Sequence, residues 1–245
     1  MAAHSAADPT SDLAPSSTVD GIANIGTTGM TRRRANAALL AGAALAAMPG
    51  LALPVQETMT LPTPRKTGGM PLMQALQQRR STREFAPRPL PPQLVSDLLW
   101  AAFGINRPSG DRTAPYWRHT MVIDVYAAMA DGVWLYDPKQ HALLPHAAQD
   151  IRAQTGRQEF AATAPLDLVY VAHGERMQDI SAEERRLYAS VDTGFIGQNV
   201  YLFCASEGLA TVFRGAIDYP KLATAMRLPE SAFVTFAQTV GYPKG

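Results

Sequence analysis

"SAEERRLYASVDTGFIGQNVYLFCASEGLATVFRGA", residues 181–216, changes its periodicity once, and that change sets the fold class. Ser181 and Glu184 form a capping box: the serine hydroxyl accepts from the third helical N–H and the glutamate reaches back to the cap. The spacing predicts one long helix to Glu207, stopped at Gly208, with Val191, Phe195, Leu202 and Leu209 on its inner face. Beyond the glycine, "ATVFRGA" (210–216) carries the β-branched and aromatic residues of a strand.

The same alternation of types continues in both directions. "LDLVYVA" (166–172) reads as a buried strand; Asp218 and Pro220 introduce a helix through Met226, and "FVTFAQTVGY" (233–242) is the last strand. Upstream, "HTMVIDVY" (119–126), "GVWLYDP" (132–138) and "HALLPH" (141–146) form a meander with turns at Asp131-Gly132 and Pro138-Lys139. "PLMQALQQRR" (71–80) places Leu72, Met73 and Leu76 on one helical face. Pro91 and Pro92 open another helix bearing Leu94, Leu98, Leu99 and Ala102, which stops at Gly104. The elements do not repeat a βα unit, so the expected class is α+β: one domain over 70–245, with a mostly antiparallel central sheet flanked by helices.

The preceding residues differ in kind. Residues 1–29 are Ala, Ser, Thr, Asp and Gly with little apolar periodicity, and read as disordered or as an over-called start upstream of Met30. "MTRRRANAALLAGAALAAMPGLALP" (30–54) sets arginines before an apolar run too short to span a bilayer comfortably, and resembles a twin-arginine export signal. The competing reading is an uncleaved Ala-rich helix. The signal reading implies an exported or periplasmic protein handled by twin-arginine machinery, with a cytoplasmic protein as the alternative. Residues 55–69 are expected as a Pro/Thr/Gly linker.

Composition excludes several function classes. The 245 residues carry a formal net charge of +1 and 18% charged residues, which argues against general nucleic-acid binding. A single cysteine, Cys204, excludes an intramolecular disulfide framework and an iron–sulfur cluster; it falls in the long helix as a core thiol. The histidines show no metal-ligand spacing, and no metal site is expected. There is no GxSxG elbow, P-loop or GxGxxG after a strand, and no catalytic protein residue is assigned. Asp192 and Asp124 read as solvated or structural carboxylates.

"RRSTREF" (79–85) is the exception to this blandness. Arginines in a last helical turn complement the macrodipole, but Ser81 and Arg83 extend the group past the helix end. Arginine forks match phosphate oxygens bidentately and a serine hydroxyl adds a donor, so the cluster reads as a phosphate clamp. Spacing alone does not say whose phosphate. A clamp without a protein nucleophile makes a bound cofactor the place to look for the reactive atom.

This block, with "PSGDRTAP" (108–115), "GLATVFRGAID" (208–218) and "VGYPK" (240–244), resembles the nitroreductase-like family of FMN-dependent oxidoreductases. "INRPSG" and "RTAP" are similar to its branch of azoline-oxidising dehydrogenases. The resemblance implies the nitroreductase-like fold, a homodimer and FMN, with hydride passing through flavin N5 to a nitroaromatic, quinone or similar acceptor, and NAD(P)H as a possible donor. It implies that Arg79, Arg80 and Ser81 hold the phosphate and ribityl end, and that Arg83 approaches the ring near N1 and O2. Ser109, Gly110 and Arg112 would reach the ring from the partner subunit, Arg112 standing where many relatives have a small amide. Arg214 and Gly215 would line the ring, with their backbone near N5 or O4, and Lys244 would add charge at the phosphate. Two other functions stay open: an FMN-dependent dehydrogenase acting on a bound substrate such as an azoline, and a non-catalytic flavin- or phosphate-binding module.

Overall fold

A computed structural model describes residues 56–245. The first 29 residues and the signal-like segment 30–54 lie outside the described residues. The strands are β1 (Met59–Thr60), β2 (Phe85–Ala86), β3 (Ile123–Met129), β4 (Gly132–Asp137), β5 (Ala142–Ala147), β6 (Leu166–His173), β7 (Ala210–Arg214) and β8 (Ala232–Pro243). The helices are α1 (Leu72–Gln78), α2 (Pro92–Phe103), α3 (Phe160–Thr163), α4 (Ala182–Ser206) and α5 (Tyr219–Ala225). The sheet runs β1-β5-β4-β3-β6-β8, and both β7 and β2 pair with the outer edge of β8. Every strand pairing among the described residues is antiparallel, so the α+β expectation holds.

Both faces of the sheet are covered, which explains the unbroken apolar run of β6 from Leu168 to Ala172. Leu168, Tyr170 and Ala172 enter a core with Leu98, Leu99, Ile196 and Val200 of α2 and α4. Val169 and Val171 enter the opposite core with Ile217, Leu222 and Met226. Successive strand residues point to opposite faces, so a strand buried on both sides loses the usual apolar–polar alternation.

The capping box at Ser181 forms as expected, and Gly208 takes the left-handed conformation (φ 68°) that ends the long helix. The inner face of α4, however, is not Val191 and Phe195, each 44% exposed. It consists of Ala189, Asp192, Thr193, Ile196, Gly197, Val200 and Cys204. Small residues are needed because α4 lies close to the sheet: a Cβ at Gly197 would sit 2.6 Å from the Phe213 ring. The bulky residues face outward as a stripe of Leu187, Tyr188, Val191 and Phe195. On α1, likewise, Leu72, Met73 and Leu76 are exposed and only Ala75 is buried.

Part of the stretch expected as a linker, 55–69, belongs to the domain. Met59 and Thr60 pair with Leu143 and Ala142, Leu61 is buried, and Asp97 accepts from the backbone (2.7 Å) and Nε (2.6 Å) of Arg65. No helix among the described residues is long and apolar enough to cross a membrane.

Candidate functional site

Helix α1 ends at Gln78, and Arg79 is already extended (φ −53°, ψ 124°). The chain then runs along the free edge of β7, where Thr82 N–H donates to Thr211 O at 2.9 Å. It continues into β2, pairing Phe85 with Pro243 and Ala86 with Tyr242, while Lys244 N–H donates to Glu84 O at 3.2 Å. Two segments far apart in sequence thus meet at one sheet edge, bringing Lys244 to the arginine block.

Within this edge Ser81 Oγ lies 2.7 Å from Tyr201 Oη on α4, and the Arg79 guanidinium lies 5.2 Å from the centre of the Tyr201 ring. Phe213 N–H donates to the same phenol oxygen at 2.9 Å. Arg80 and Thr82 help wall a cavity of about 250 Å³ with Tyr201, Thr211 and Pro243. None of the ion pairs among the described residues uses Arg79, Arg80, Arg83 or Lys244. Alternate outward-facing positions on the β7 edge fall at Thr211, Phe213 and, just past the strand, the exposed Gly215. Four cations, a hydroxyl and an open backbone position therefore share one edge, a donor set suited to a phosphate carrying a polar ring system.

Arg214 departs from its expected place, because its side chain turns into the interior. It is 3% exposed and donates to Asp167 Oδ1 (2.7 Å), Thr239 Oγ1 (3.0 Å), Thr155 O (2.9 Å) and Thr155 Oγ1 (3.1 Å). Only its backbone borders the edge. A buried carboxylate demands a charged partner, and Asp167, beside the apolar run of β6, supplies that demand. The network also holds the segment after residue 151 against the turn following β7, where Arg157 N–H donates to Ala216 O at 2.9 Å.

Arg112 is likewise buried within its own protomer. Its guanidinium lies 5.3 Å from the Phe103 ring centre, donates to Phe103 O at the C-terminal end of α2 (3.4 Å), and contacts Met121 Sδ (2.9 Å). This position complements the helix dipole and removes Arg112 from the surface where it was expected. Ser109 and Gly110 lie in a loop organised by Asp111, which accepts from Ser109 Oγ at 2.6 Å and from Tyr116 Oη at 2.5 Å. These two donors hold the Asp111 carboxyl below its ordinary range. Among the described residues the loop makes no hydrogen bond to the β7 edge.

Two residues with a place in this architecture had no distinguishing sequence signal. Tyr201 sits in "VYLFCA", where an aromatic residue reads as core. Asp192, read as solvated or structural, is 3% exposed and accepts from Trp117 N–H at 2.9 Å, and burial pushes its carboxyl up to about 6. Asp124 is structural, gripped by both terminal nitrogens of Arg176 at 3.0 and 3.1 Å. Cys204 is buried, and burial raises its thiol well above the ordinary range. Among the described residues no group of three or more His, Cys, Asp or Glu side chains is placed to hold a metal ion.

Comparison with known proteins gives a consistent result. Residues 76–242 match the profile described as "Nitroreductase family". A Methanocaldococcus jannaschii protein described as a candidate nitroreductase is 29% identical over 169 residues, covering 65% of this chain and 85% of that one. A crystal structure of a candidate nitroreductase from Ralstonia eutropha superposes with a TM-score of 0.74 at 44% identity, covering 78% of this chain and 91% of that one. The NADPH:FMN oxidoreductase of Vibrio harveyi, crystallised with NAD+, shares the fold at a TM-score of 0.53 and 21% identity, covering 71% of this chain and 69% of that one.

Proposed function

The chain belongs to the nitroreductase family, and from that premise we propose that it is an FMN-dependent oxidoreductase whose cofactor lies along the β7 edge. The observation that carries the reading is the group of Arg79, Arg80, Arg83 and Lys244, gathered beside Ser81 with no carboxylate partner among the described residues. Cations left unpaired by the protein are available to a phosphate, and arginine provides forked, charge-assisted hydrogen bonds to it. Bound FMN supplies hydride acceptance and donation at N5.

Arg79, Arg80 and Lys244 serve the phosphate end, with Ser81 donating from its hydroxyl. Arg83 serves the ring, where a fixed positive charge raises the reduction potential. The Gly215 backbone borders the ring, and the Arg214–Asp167 network holds the turn that presents it. The outward stripes on α1 and α4 are exposed apolar surface of the kind that marks an interface. A second copy covering them makes the protein a homodimer, and Ser109 and Gly110 reach the partner's site. Arg112 acts there only indirectly, by holding its loop on α2. The acceptor is a nitroaromatic, quinone or similar oxidant, and the residues around the site orient the reactants and exclude water without a covalent intermediate. Residues 30–54 export the folded, cofactor-loaded chain.

Anaerobic mixing of the FMN-loaded protein with NADH and NADPH tests the direction of transfer. Rapid bleaching of the visible flavin absorbance, reversed by a nitroaromatic or quinone, is the expected result. Bleaching by neither nucleotide, but by an azoline-bearing peptide, would replace the reductase with the dehydrogenase. FMN binding without turnover of any donor would reduce the protein to a binding module. NADH and NADPH, both cytoplasmic, serve here as test reductants; an exported protein would take its electrons from another donor.

A further inference from the structure

We infer that Tyr201 is a positioning residue of the phosphate clamp: it fixes Ser81 as an outward hydrogen-bond donor and holds the Arg79 guanidinium over its ring. The inference rests on the FMN reading above and assigns a residue that neither the arginine block nor the flanking loops contain.

Donor and acceptor capacity constrains the bonds at the phenol. A backbone N–H can only donate, so Phe213 N–H, 2.9 Å away, occupies a lone pair of the Tyr201 oxygen. The Ser81–Tyr201 pair, 2.7 Å apart, admits either oxygen as donor. We assign the phenol as donor, because its other neighbour, Phe213 N–H, is itself a donor and Ser81 Oγ is the acceptor within its reach among the described residues. With that assignment Tyr201 donates to Ser81, and the serine proton is left for a group outside the protein. Without the phenol, Ser81 rotates freely among acceptors and its proton has no fixed direction. The ring of Tyr201 meanwhile lies under Arg79 at 5.2 Å, within cation–π range. The guanidinium of a flexible side chain is thereby ordered before any anion arrives, which lowers the entropic cost of binding.

Other contacts hold the backbone here. Thr82 N–H donates to Thr211 O, and the 85–86 strand pairs with β8. Removing the hydroxyl should therefore loosen the clamp without releasing the loop.

The test compares FMN with riboflavin, which share the ring and ribityl chain but differ in the phosphate. Dissociation constants are measured by flavin fluorescence quenching for the full chain, Tyr201→Phe, Ser81→Ala and the double variant. The expected result for Tyr201→Phe is FMN affinity weaker by about 5- to 10-fold, the worth of one neutral hydrogen bond, with riboflavin affinity unchanged. The double variant should bind FMN no more weakly than Ser81→Ala, because the tyrosine acts through the serine. Equal losses for both flavins, no loss for either, or additive losses would overturn the inference while leaving the FMN reading intact. Wild-type protein that binds neither flavin would overturn the FMN reading and this inference with it. A second variant guards against misfolding: 3-fluorotyrosine at 201 keeps the ring and hydroxyl while making the phenol a stronger donor. It must raise the FMN preference over riboflavin, and a lowered or unchanged preference overturns the inference.

Discussion

Replacing Arg214 with methionine should destabilise the fold strongly, and the size of the loss follows from what the guanidinium leaves behind. Arg214 and Asp167 are 2% and 0% exposed at their side chains and 2.7 Å apart. Asp167 Oδ1 also accepts from Thr239 Oγ1, while Asp167 Oδ2 is buried with no hydrogen-bond partner among the described residues. Removing the cation strands a buried carboxylate with hydroxyl help only, a loss of about 3–5 kcal/mol. Thr155 O and Thr155 Oγ1 lose their donors as well. With a urea slope of about 2 kcal/mol per molar, the unfolding midpoint of the flavin-free protein should fall by about 2 M. Adding Asp167→Asn to Arg214→Met removes the stranded charge and should recover about half of that loss. The assay is urea unfolding followed by far-ultraviolet circular dichroism at one fixed protomer concentration, so that any subunit association affects all variants alike. An Arg214→Met protein that unfolds at the wild-type midpoint but loses FMN would refute the reasoning. That result would put the guanidinium at the cofactor.

Two further outcomes follow from the outward helix faces and from Asp192. Val191→Asp with Phe195→Glu should convert a dimer to a folded monomer, read as a halved mass in light scattering; a wild-type monomer, or a variant that stays dimeric, contradicts the assignment of the stripe. Burial raises the Asp192 carboxyl to about 6, so between about pH 4 and pH 6 the native state keeps a proton that the unfolded chain has released. Stability should accordingly fall as pH rises through that window, by about 2–3 kcal/mol in all, since a tenfold change in proton affinity is worth about 1.4 kcal/mol. Asp192→Asn keeps an oxygen acceptor for Trp117 N–H and should flatten this dependence in urea unfolding at pH 4, 5, 6 and 7; an unchanged slope contradicts it.

The strands were legible because the faces they present are simple. The capping box at Ser181, the stop at Gly208 and the meander around Asp131-Gly132 all depend on neighbouring residues, and each formed where the residue pattern placed it. The orientation of α4 was not legible. Periodicity identifies apolar stripes but cannot tell which one meets the sheet; a close approach at Gly197 selected the small residues, and Val191 and Phe195 were left outside. The β1 segment escaped for a different reason. Two paired residues followed by one buried leucine carry too little pattern to distinguish a strand from a linker.

The site divides along the same line. The run from Arg79 to Arg83 is contiguous and so announces itself, and Lys244 joins it through the β2–β8 pairing. Arg112 and Arg214 occupy recognisable stretches, yet their side chains answer to the Phe103 carbonyl at a helix end and to Asp167, hidden beside an apolar run, which no local pattern announces. Tyr201 was invisible because its role depends on a single phenol oxygen meeting both Ser81 and Phe213, a coincidence of three elements.

The most direct test of the cofactor assignment is the amount of flavin in the purified, FMN-reconstituted protein. After gel filtration, heat release should yield about one FMN per protomer from the wild type, and a greatly reduced amount from Arg79→Ala. A well-folded wild-type protein that retains no FMN would contradict the account.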